Sequence, residues 1–425
     1  MNIRTSRRAF LKQAALATSP ILAPGLARGQ ANPVPPSERI VMAGIGIGPR
    51  GQEVLGAFLR QSDVQFVEIC DVQATRRNYA RGLVNGHYGN RDCRVTRDMH
   101  ETLARPDIDA VLIATGDRWH ALATILAAKA GKDIYCEKPC GMTMAEGREL
   151  DETVTRYQRV FQAGTQRRNV PNFRHAVDLA RGGALGRLHT VHAAIYKLNN
   201  ANLWLPGEPE PDPETLDWDR WLGPAPWRPY NSRYVGGGWR PFADFSAGAQ
   251  LLDWGAHTVD ICQWAVDADA SGPVEFEPDG GTIHARYANG VKLVMRLGGF
   301  HNEGQWLGLG TCPVRFEGDG GWVETGDSGQ MKGDPGNLLA AAPKNVPAGT
   351  NPEANVRDFL DCVRTRGTPE SNSRVMRRSH AVCHAAAISW ILGRKLRYDP
   401  ATESFPDDNE ANRMRSRAKR SPWHA

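Results

Sequence analysis

Apolar runs, each closed by a polar residue or a glycine, recur at regular intervals through the first third of the chain. Residues 39–43 read as a short buried strand, and residues 64–70 as a second that ends in Asp71. Residues 109–115 and 133–136 give two more. Between them, residues 52–59 and 121–130 have helical composition, and Gly131 stops the latter. Strands that alternate with helices at this spacing predict an α/β fold with a parallel, doubly wound sheet. Ligands of such sheets bind beyond the carboxyl ends of the strands. Gly46, Asp71, Thr115, Glu137 and Lys138 all fall at such ends.

The pattern changes past residue 155. Residues 160–163, 188–198, 282–287, 291–297 and 314–317 read as strands. Ala288-Asn289-Gly290 marks a hairpin between two of them. This predicts an α+β domain with a largely antiparallel sheet. Residues 355–364 and 376–392 have the apolar spacing of helices. An open sheet face is expected to be apolar, and so to drive assembly into a homodimer or homotetramer.

The loop after the first strand is Gly46-Ile47-Gly48-Pro49-Arg50-Gly51. In a strand–turn–helix unit the first glycine permits a tight turn and the second lets backbone approach a pyrophosphate. The third lets the helix pack on the strand. The phosphates sit at the helix N-terminus, where free N–H groups favour an anion. Asp71 stands where an acid reads a ribose 2′-hydroxyl, which favours NAD as cofactor. Arg76 and Arg77 keep NADP open. Pro49 removes one N–H from the turn, and Arg50 is placed to compensate.

Two further clusters carry chemistry. Glu137-Lys138-Pro139 closes the fourth strand, and Asp253 and His257 stand four residues apart in the second half. That spacing puts them on one face of a helix. Oxidation of an alcohol needs a base for the hydroxyl proton, and histidine suits this near neutral pH. Lys138 can hold the reacting oxygen and stabilise its charge. Asp253 orients the imidazole or touches substrate. Tyr196 is an alternative proton carrier.

In these motifs the chain resembles the Gfo/Idh/MocA oxidoreductases, over nearly all of residues 37–425. Glu137-Lys138-Pro139 matches the family's EKP motif, and Asp253 with His257 its DxxxH motif. The stretches Ala114-Thr115-Gly116-Asp117-Arg118-Trp119-His120 and Ala163-Gly164-Thr165-Gln166-Arg167-Arg168 match as well. So does Trp218-Asp219-Arg220-Trp221-Leu222-Gly223-Pro224. The similarity is greatest to the exported bacterial branch. It implies a Rossmann domain over 37–154, a substrate and oligomerisation domain over 155–400, and a closing arm over 401–425. It implies base or acid work for His257 and a polarising role for Lys138. Thr115, Trp119, His120 and Gln166 join Glu137 and the glycine turn in the expected cofactor set. The family's usual proline is replaced by Gly116, which loosens the loop over the nicotinamide. Some relatives use bound NAD to cleave a glycosidic bond without net redox change, and a sugar-binding protein without turnover is a third possibility.

The segment from Trp204 to Phe245 is rich in tryptophan and arginine, a combination that suits sugars and acidic sugar derivatives. Trp239, Arg240 and Asp244 lead into the Asp253 segment and are expected at the substrate, with Arg167 and Lys197 behind them. The expected activity is hydride transfer between a sugar or polyol hydroxyl and tightly held nicotinamide.

Charge and targeting complete the expectation. Ser6-Arg7-Arg8-Ala9-Phe10-Leu11-Lys12 precedes a mildly apolar stretch, as in a twin-arginine export signal. Cleavage after Gly29, with residues 30–36 left as an arm, lowers the basic count from 52 to 47, equal to the 47 acids. The net charge of +5 is then a property of the signal, not a nucleic-acid surface. The expected destination is the periplasm, reached folded through the twin-arginine translocase. No apolar run is long enough to span a membrane. Eight cysteines leave disulfides open, and no paired Cys/His set suggests a catalytic metal.

Overall fold

The computed structural model describes residues 35–296 and 308–424. The expected export signal and most of the 30–36 arm lie outside the described residues, as does Leu297 of the strand expected over 291–297.

The first half alternates strand and helix: β1 (Ile40–Ile45), α1 (Pro49–Leu59), β2 (Val64–Cys70), α2 (Ala74–Tyr88), β3 (Arg94–Thr96), α3 (Met99–Leu103), β4 (Ala110–Ile113), α4 (Asp117–Lys129), β5 (Asp133–Cys136) and α5 (Met144–Arg156). A sixth strand, β6 (Phe161–Ala163), follows. The sheet order is β3-β2-β1-β4-β5-β6, all parallel. β1 is central, and Met42 lies level with Phe66 on one side and Ala110 on the other. β4 and β5 are buried along their whole lengths, as a sheet covered on both faces requires.

The parallel sheet runs past the expected boundary at residue 154, since β6 pairs with β5. Its faces are also not covered by the first half alone. Helix α6 (Pro171–Arg181) and strand β7 (Leu188–Ala194) begin the second half, followed by α7 (Trp218–Leu222) and α8 (Leu251–Ala265). Strands β8 (Glu275–Asp279), β9 (Thr282–Arg286), β10 (Lys292–Arg296), β11 (Val314–Gly318), β12 (Gly321–Thr325) and β13 (Met331–Asp334) come next. The chain then returns through α9 (Glu353–Thr365), whose Val356, Phe359 and Leu360 pack into the core of the first half. There Phe58 meets the edges of Phe66, Tyr135 and Phe359 at 5.9, 5.3 and 6.1 Å.

Helix α10 (Ser373–Leu392), strand β14 (Leu396–Arg397) and helix α11 (Asn409–Arg413) complete the chain. The second sheet has eight strands in the order β13-β12-β11-β7-β10-β9-β8-β14. Every pairing is antiparallel except β7 with β10. The Asn289-Gly290 turn joins β9 to β10 as expected, with Gly290 at φ +89°. One face, built on Val191, Ala193, Ile283, Leu293, Met295 and Phe316, packs under α6, α8 and α10. Strand alternation puts Thr190, His192, His284, Arg286, Lys292 and Glu317 on the other face. Val294 and Trp322 share that face, so what it presents among the described residues is mixed polar and apolar, less apolar than expected.

All eight cysteines are buried free thiols. The tryptophan-rich segment is divided: Trp204 and Trp227 are exposed, while Trp218 and Trp221 are core. Trp218 stacks on Trp221 at 4.8 Å, and both join Tyr234, Phe242 and Phe245 in a buried cluster. No described helix is long and apolar enough to cross a membrane.

Candidate active site

The turn after β1 takes its shape from two glycines. Gly46 has φ +72°, and a Cβ there would collide with Thr115 in the loop after β4. A Cβ on Gly51 would come within 2.9 Å of the Ala114 Cβ, so only glycine lets α1 sit this close to β4. Pro49 is the first residue of α1, where an N–H has no helical partner, so the missing donor costs the helix nothing. Arg50 turns away from solvent. Its Nε donates to Glu137 Oε1 at 3.1 Å and its Nη1 to Glu53 at 2.7 Å and the Thr350 carbonyl at 3.1 Å.

This turn floors one half of a long crevice, a cavity of about 1190 Å³ with its open mouth included. Gly46, Gly48, Pro49, Arg50, Asp71, Arg76, Thr115 and Trp119 line it, and Val235, Gly236, Gly237 and Trp423 cover it. Asp71 ends β2, and its Oδ1 accepts from the Gln73 N–H at 2.9 Å. Burial raises its carboxyl to about 6, against the pull of that N–H and of Arg76 and Arg77. The Arg77 guanidinium is spent on the Asp71 and Glu214 carbonyls. Arg76 donates to the Val235 carbonyl at 3.2 Å and so ties α2 to the cover. Trp119 donates to the Arg220 carbonyl at 2.9 Å and meets Trp423 edge-on at 5.2 Å. It is a wall of the crevice as well as core.

Gln73 Nε2, Arg50 Nη2, Gln166 Oε1 and His257 Nδ1 are among the polar atoms of crevice residues that are buried with no hydrogen-bond partner among the described residues. Each is a donor or acceptor left for a ligand. With the glycine turn at the start of α1, they fit a dinucleotide whose phosphates lie at Gly46–Gly48 and whose ribose lies at Asp71.

The other half of the crevice, about 1180 Å³ with its mouth, shares Arg50, Ala114, Thr115, Trp239 and Arg240 with the first. It adds His120, Glu137, Lys138, Gln166, Arg167, Asp253, Trp254 and His257. Lys138 Nζ donates to Asp253 Oδ1 at 3.0 Å and to the Asp253 carbonyl at 2.6 Å. The Lys138 turn is braced from behind. The His120 ring nitrogens lie 2.8 Å from the Pro139 carbonyl and 3.1 Å from that of Thr115. The Cys140 N–H donates to His380 Nδ1 at 3.2 Å.

Helix α8 carries Asp253 in its first turn and His257 one turn later. It is anchored by Arg168, which grips both Asp260 oxygens at 2.7 and 2.8 Å in a buried pair. Burial acts upward on the Asp253 carboxyl, but the charges of Lys138 and Arg240 outweigh it and hold the group below 3.8. His257 is 4 % exposed. Burial first, then the charges of Arg167 and Lys138, push it well below 6.5. The imidazole is therefore held neutral, and the same burial and charges oppose its protonation.

Two expected substrate residues are not in the crevice. Lys197 is exposed beyond the end of β7 and lines neither half. Asp244 is bound by Arg228, Nε at 2.7 Å, inside the aromatic cluster. Arg167 does line the cavity, but Asp327 holds its guanidinium at 3.0 and 2.7 Å. Tyr196 packs against Trp254 at 5.8 Å, half exposed and outside the cavity. Sequence reasoning missed Asp117, Trp254, Thr311, Cys312 and Thr350 as lining residues. Asp117 and Trp254 adjoin motif residues and could have been found so. The other three come from distant stretches with no pattern to mark them.

Comparison with known proteins agrees with this geometry. Residues 39–165 match the family model described as oxidoreductase family, NAD-binding Rossmann fold. Residues 202–425 match that described as oxidoreductase family, C-terminal alpha/beta domain. The chain is 27% identical over 268 residues to the rhizopine catabolism protein MocA of Rhizobium meliloti, covering 60% of this chain and 69% of that protein. It is 32% identical over 172 residues to a glycosyl hydrolase family 109 protein of Saccharopolyspora erythraea, 36% of this chain and only 38% of that one. A levoglucosan dehydrogenase solved with NADH and levoglucosan superposes with a TM-score of 0.58 at 17% identity, over 84% of this chain and 99% of its own. The chain belongs to the Gfo/Idh/MocA oxidoreductase family, and its first domain is an NAD-binding Rossmann domain.

Proposed function

We propose that this NAD-binding oxidoreductase oxidises a hydroxyl of a sugar or polyol, and that it does so in the periplasm after twin-arginine export. The observation that carries the proposal is the Lys138 ammonium on Asp253 Oδ1, beside a buried neutral His257, in a cavity continuous with the dinucleotide crevice. Gly46, Gly48, Asp71, Thr115 and Glu137 would hold NAD. When bound, the cofactor supplies the hydride acceptor.

The protein's own part follows from charge. Lys138 stabilises the developing alkoxide, and Asp253 keeps the ammonium aimed at it. His257 accepts the hydroxyl proton, which its neutral state permits. Trp239 and Trp254 supply apolar faces for a sugar ring. What supports export is the Arg7-Arg8 signal together with the charge balance it leaves behind. Assembly into a homodimer or homotetramer across the open sheet belongs to the proposal. A mixed face of that kind would associate through charge pairs and bridging water around apolar contacts at Val294 and Trp322.

A second mode, hydrolysis through transient oxidation, is supported by the glycosyl hydrolase family 109 relative. Product analysis separates the two. Incubation of NAD-loaded protein with sugars, polyols and glycosides should yield a ketone or lactone with reduced cofactor. A free sugar with no net reduction would establish the second mode, and no product of either kind would defeat both.

A further inference from the structure

Arg118 is the second residue of α4 and lines the cofactor half of the crevice, yet it is only 4 % exposed. Its Nε donates to the Trp221 carbonyl at 2.8 Å, and its guanidinium carbon lies 3.7 Å from the centre of the Trp221 ring. Nη1 and Nη2 donate to nothing among the described residues, and the group forms no ion pair there. Arg220, on the same wall, is by contrast held by Asp98 and Asp217 at 2.9 and 3.1 Å. Burial pushes the Arg118 guanidinium down to about 9, against the pull of Asp117. A buried cation without a paired anion is costly unless a ligand supplies one.

The backbone makes room for this arginine. A Cβ on Gly116 would collide with Arg118 Nη1. Glycine at the position of the family's usual proline therefore lets the guanidinium fold back over the loop after β4. The same loop touches the glycine turn, where a Cβ on Gly46 would collide with Thr115. Arg118 and the start of α1 thus serve one stretch of the crevice.

The C-terminal tail reaches the same wall. Lys419 Nζ donates to Glu149 on α5 at 2.9 Å. Arg420 donates to the Gly223 and Asp219 carbonyls at 3.1 and 2.8 Å, so the tail crosses from the first domain to the second. Trp423 then meets Trp119 edge-on, and its indole Nε1 is buried with no acceptor among the described residues.

Given the dinucleotide site described above, we infer that Arg118 and Trp423 complete it: the Arg118 guanidinium pairs with the cofactor's pyrophosphate, and the Trp423 indole N–H donates to another of its oxygens. The two free guanidinium nitrogens suit phosphate oxygens in a bidentate contact. The phosphate supplies the charge that the buried arginine lacks. The tail becomes a strap that slows release of the cofactor, and the grip on the phosphates extends beyond the glycine turn.

The test separates phosphate from base and ribose. ADP and adenosine are titrated calorimetrically into nucleotide-free protein, with thermal midpoints measured on the same preparations. Arg118→Gln should cut the parental preference for ADP by about tenfold or more, as for the loss of a hydrogen bond to a charged group. Adenosine affinity should stay near parental. Arg118→Lys keeps the charge without the fork and should fall between the two, which carries the test if the glutamine variant does not fold. Trp423→Phe keeps the contact with Trp119 and lacks the N–H. Excess NAD should then chase NADH from the loaded variant about two- to tenfold faster than from the parent, the effect of one hydrogen bond. An ADP preference unchanged in both Arg118 variants, or equal losses for ADP and adenosine, would overturn the inference and leave the crevice a dinucleotide site. So would release at the parental rate from Trp423→Phe. Failure of the parent to bind either ADP or NAD would overturn the dinucleotide site as well.

Discussion

Lys138 and Asp253, 115 residues apart in the chain, meet through two hydrogen bonds, one to the carboxylate at 3.0 Å and one to the backbone carbonyl at 2.6 Å. The lysine comes from the parallel-sheet domain and the aspartate from the helix over the second sheet. Their contact joins the two segments within the substrate half of the crevice. Lys138→Ala should lower turnover by about 10²–10³-fold, the usual loss for one stabilising donor. Bound NAD should survive, since the glycine turn and Asp71 are untouched. Steady-state kinetics and nucleotide content measured on one preparation check both halves of this expectation.

His257 should set the acid limb of the rate profile. It must be neutral to take a proton, and its buried site holds it well below 6.5. Activity should therefore persist on acidification past the ordinary histidine range before it falls. His257→Ala should cost roughly 10²–10⁴-fold in turnover and remove that limb. A variant with near-parental turnover on the best substrate would move the proton to another carrier.

The parallel sheet was legible because its strands are short apolar runs with polar ends. Residues 64–70 match β2 residue for residue. That Lys138, Asp253 and His257 line one cavity was legible only from their joint occurrence after the glycine turn, since the i, i+4 spacing alone places just Asp253 and His257 on one helix face. The return of α9 was not. Its apolar stripe of Val356, Phe359 and Leu360 states that one face is buried, but not against which domain. Strands β12 and β13 were missed because Gly321 and Gly333 interrupt short runs with no clean alternation. Asp244 and Lys197 were misplaced for a different reason. Charge in an aromatic-rich loop suggests a ligand, yet Arg228 claims Asp244 within the protein and Lys197 points to water. An ion pair formed within a loop leaves no spacing signature.

Cofactor affinity should depend on pH through Asp71. Burial raises its carboxyl to about 6, and the ionised form accepts the stronger, charge-assisted hydrogen bonds from a ribose diol. NAD binding should tighten as pH rises through that value and level off above it. Asp71→Asn should bind more weakly and without the pH dependence. Fluorescence titration of nucleotide-free protein across this range reads both effects.

Stability should fall on mild acidification because His380 and His384 are buried neutral. Burial lowers them from 6.5 to about 3 and about 4. Between those values and 6.5 the unfolded chain binds protons that the folded chain refuses, so stability rises with pH in that window and is lost as pH drops through it. His380→Gln keeps an acceptor for the Cys140 N–H and removes one such proton. Urea midpoints measured across the window should be flatter with pH in this variant than in the parent. Equal slopes would show that other groups govern the acid transition.

The most direct measurement is the near-ultraviolet absorbance of reduced nicotinamide in single-turnover mixing of NAD-loaded protein with a panel of neutral sugars and polyols. At least one should reduce the bound cofactor in the parent, with the signal lost in Lys138→Ala and in His257→Ala while NAD remains bound. Protein that binds NAD and a sugar yet shows no reduction with any of them would contradict the account. So would reduction that proceeds equally in the Lys138 and His257 variants.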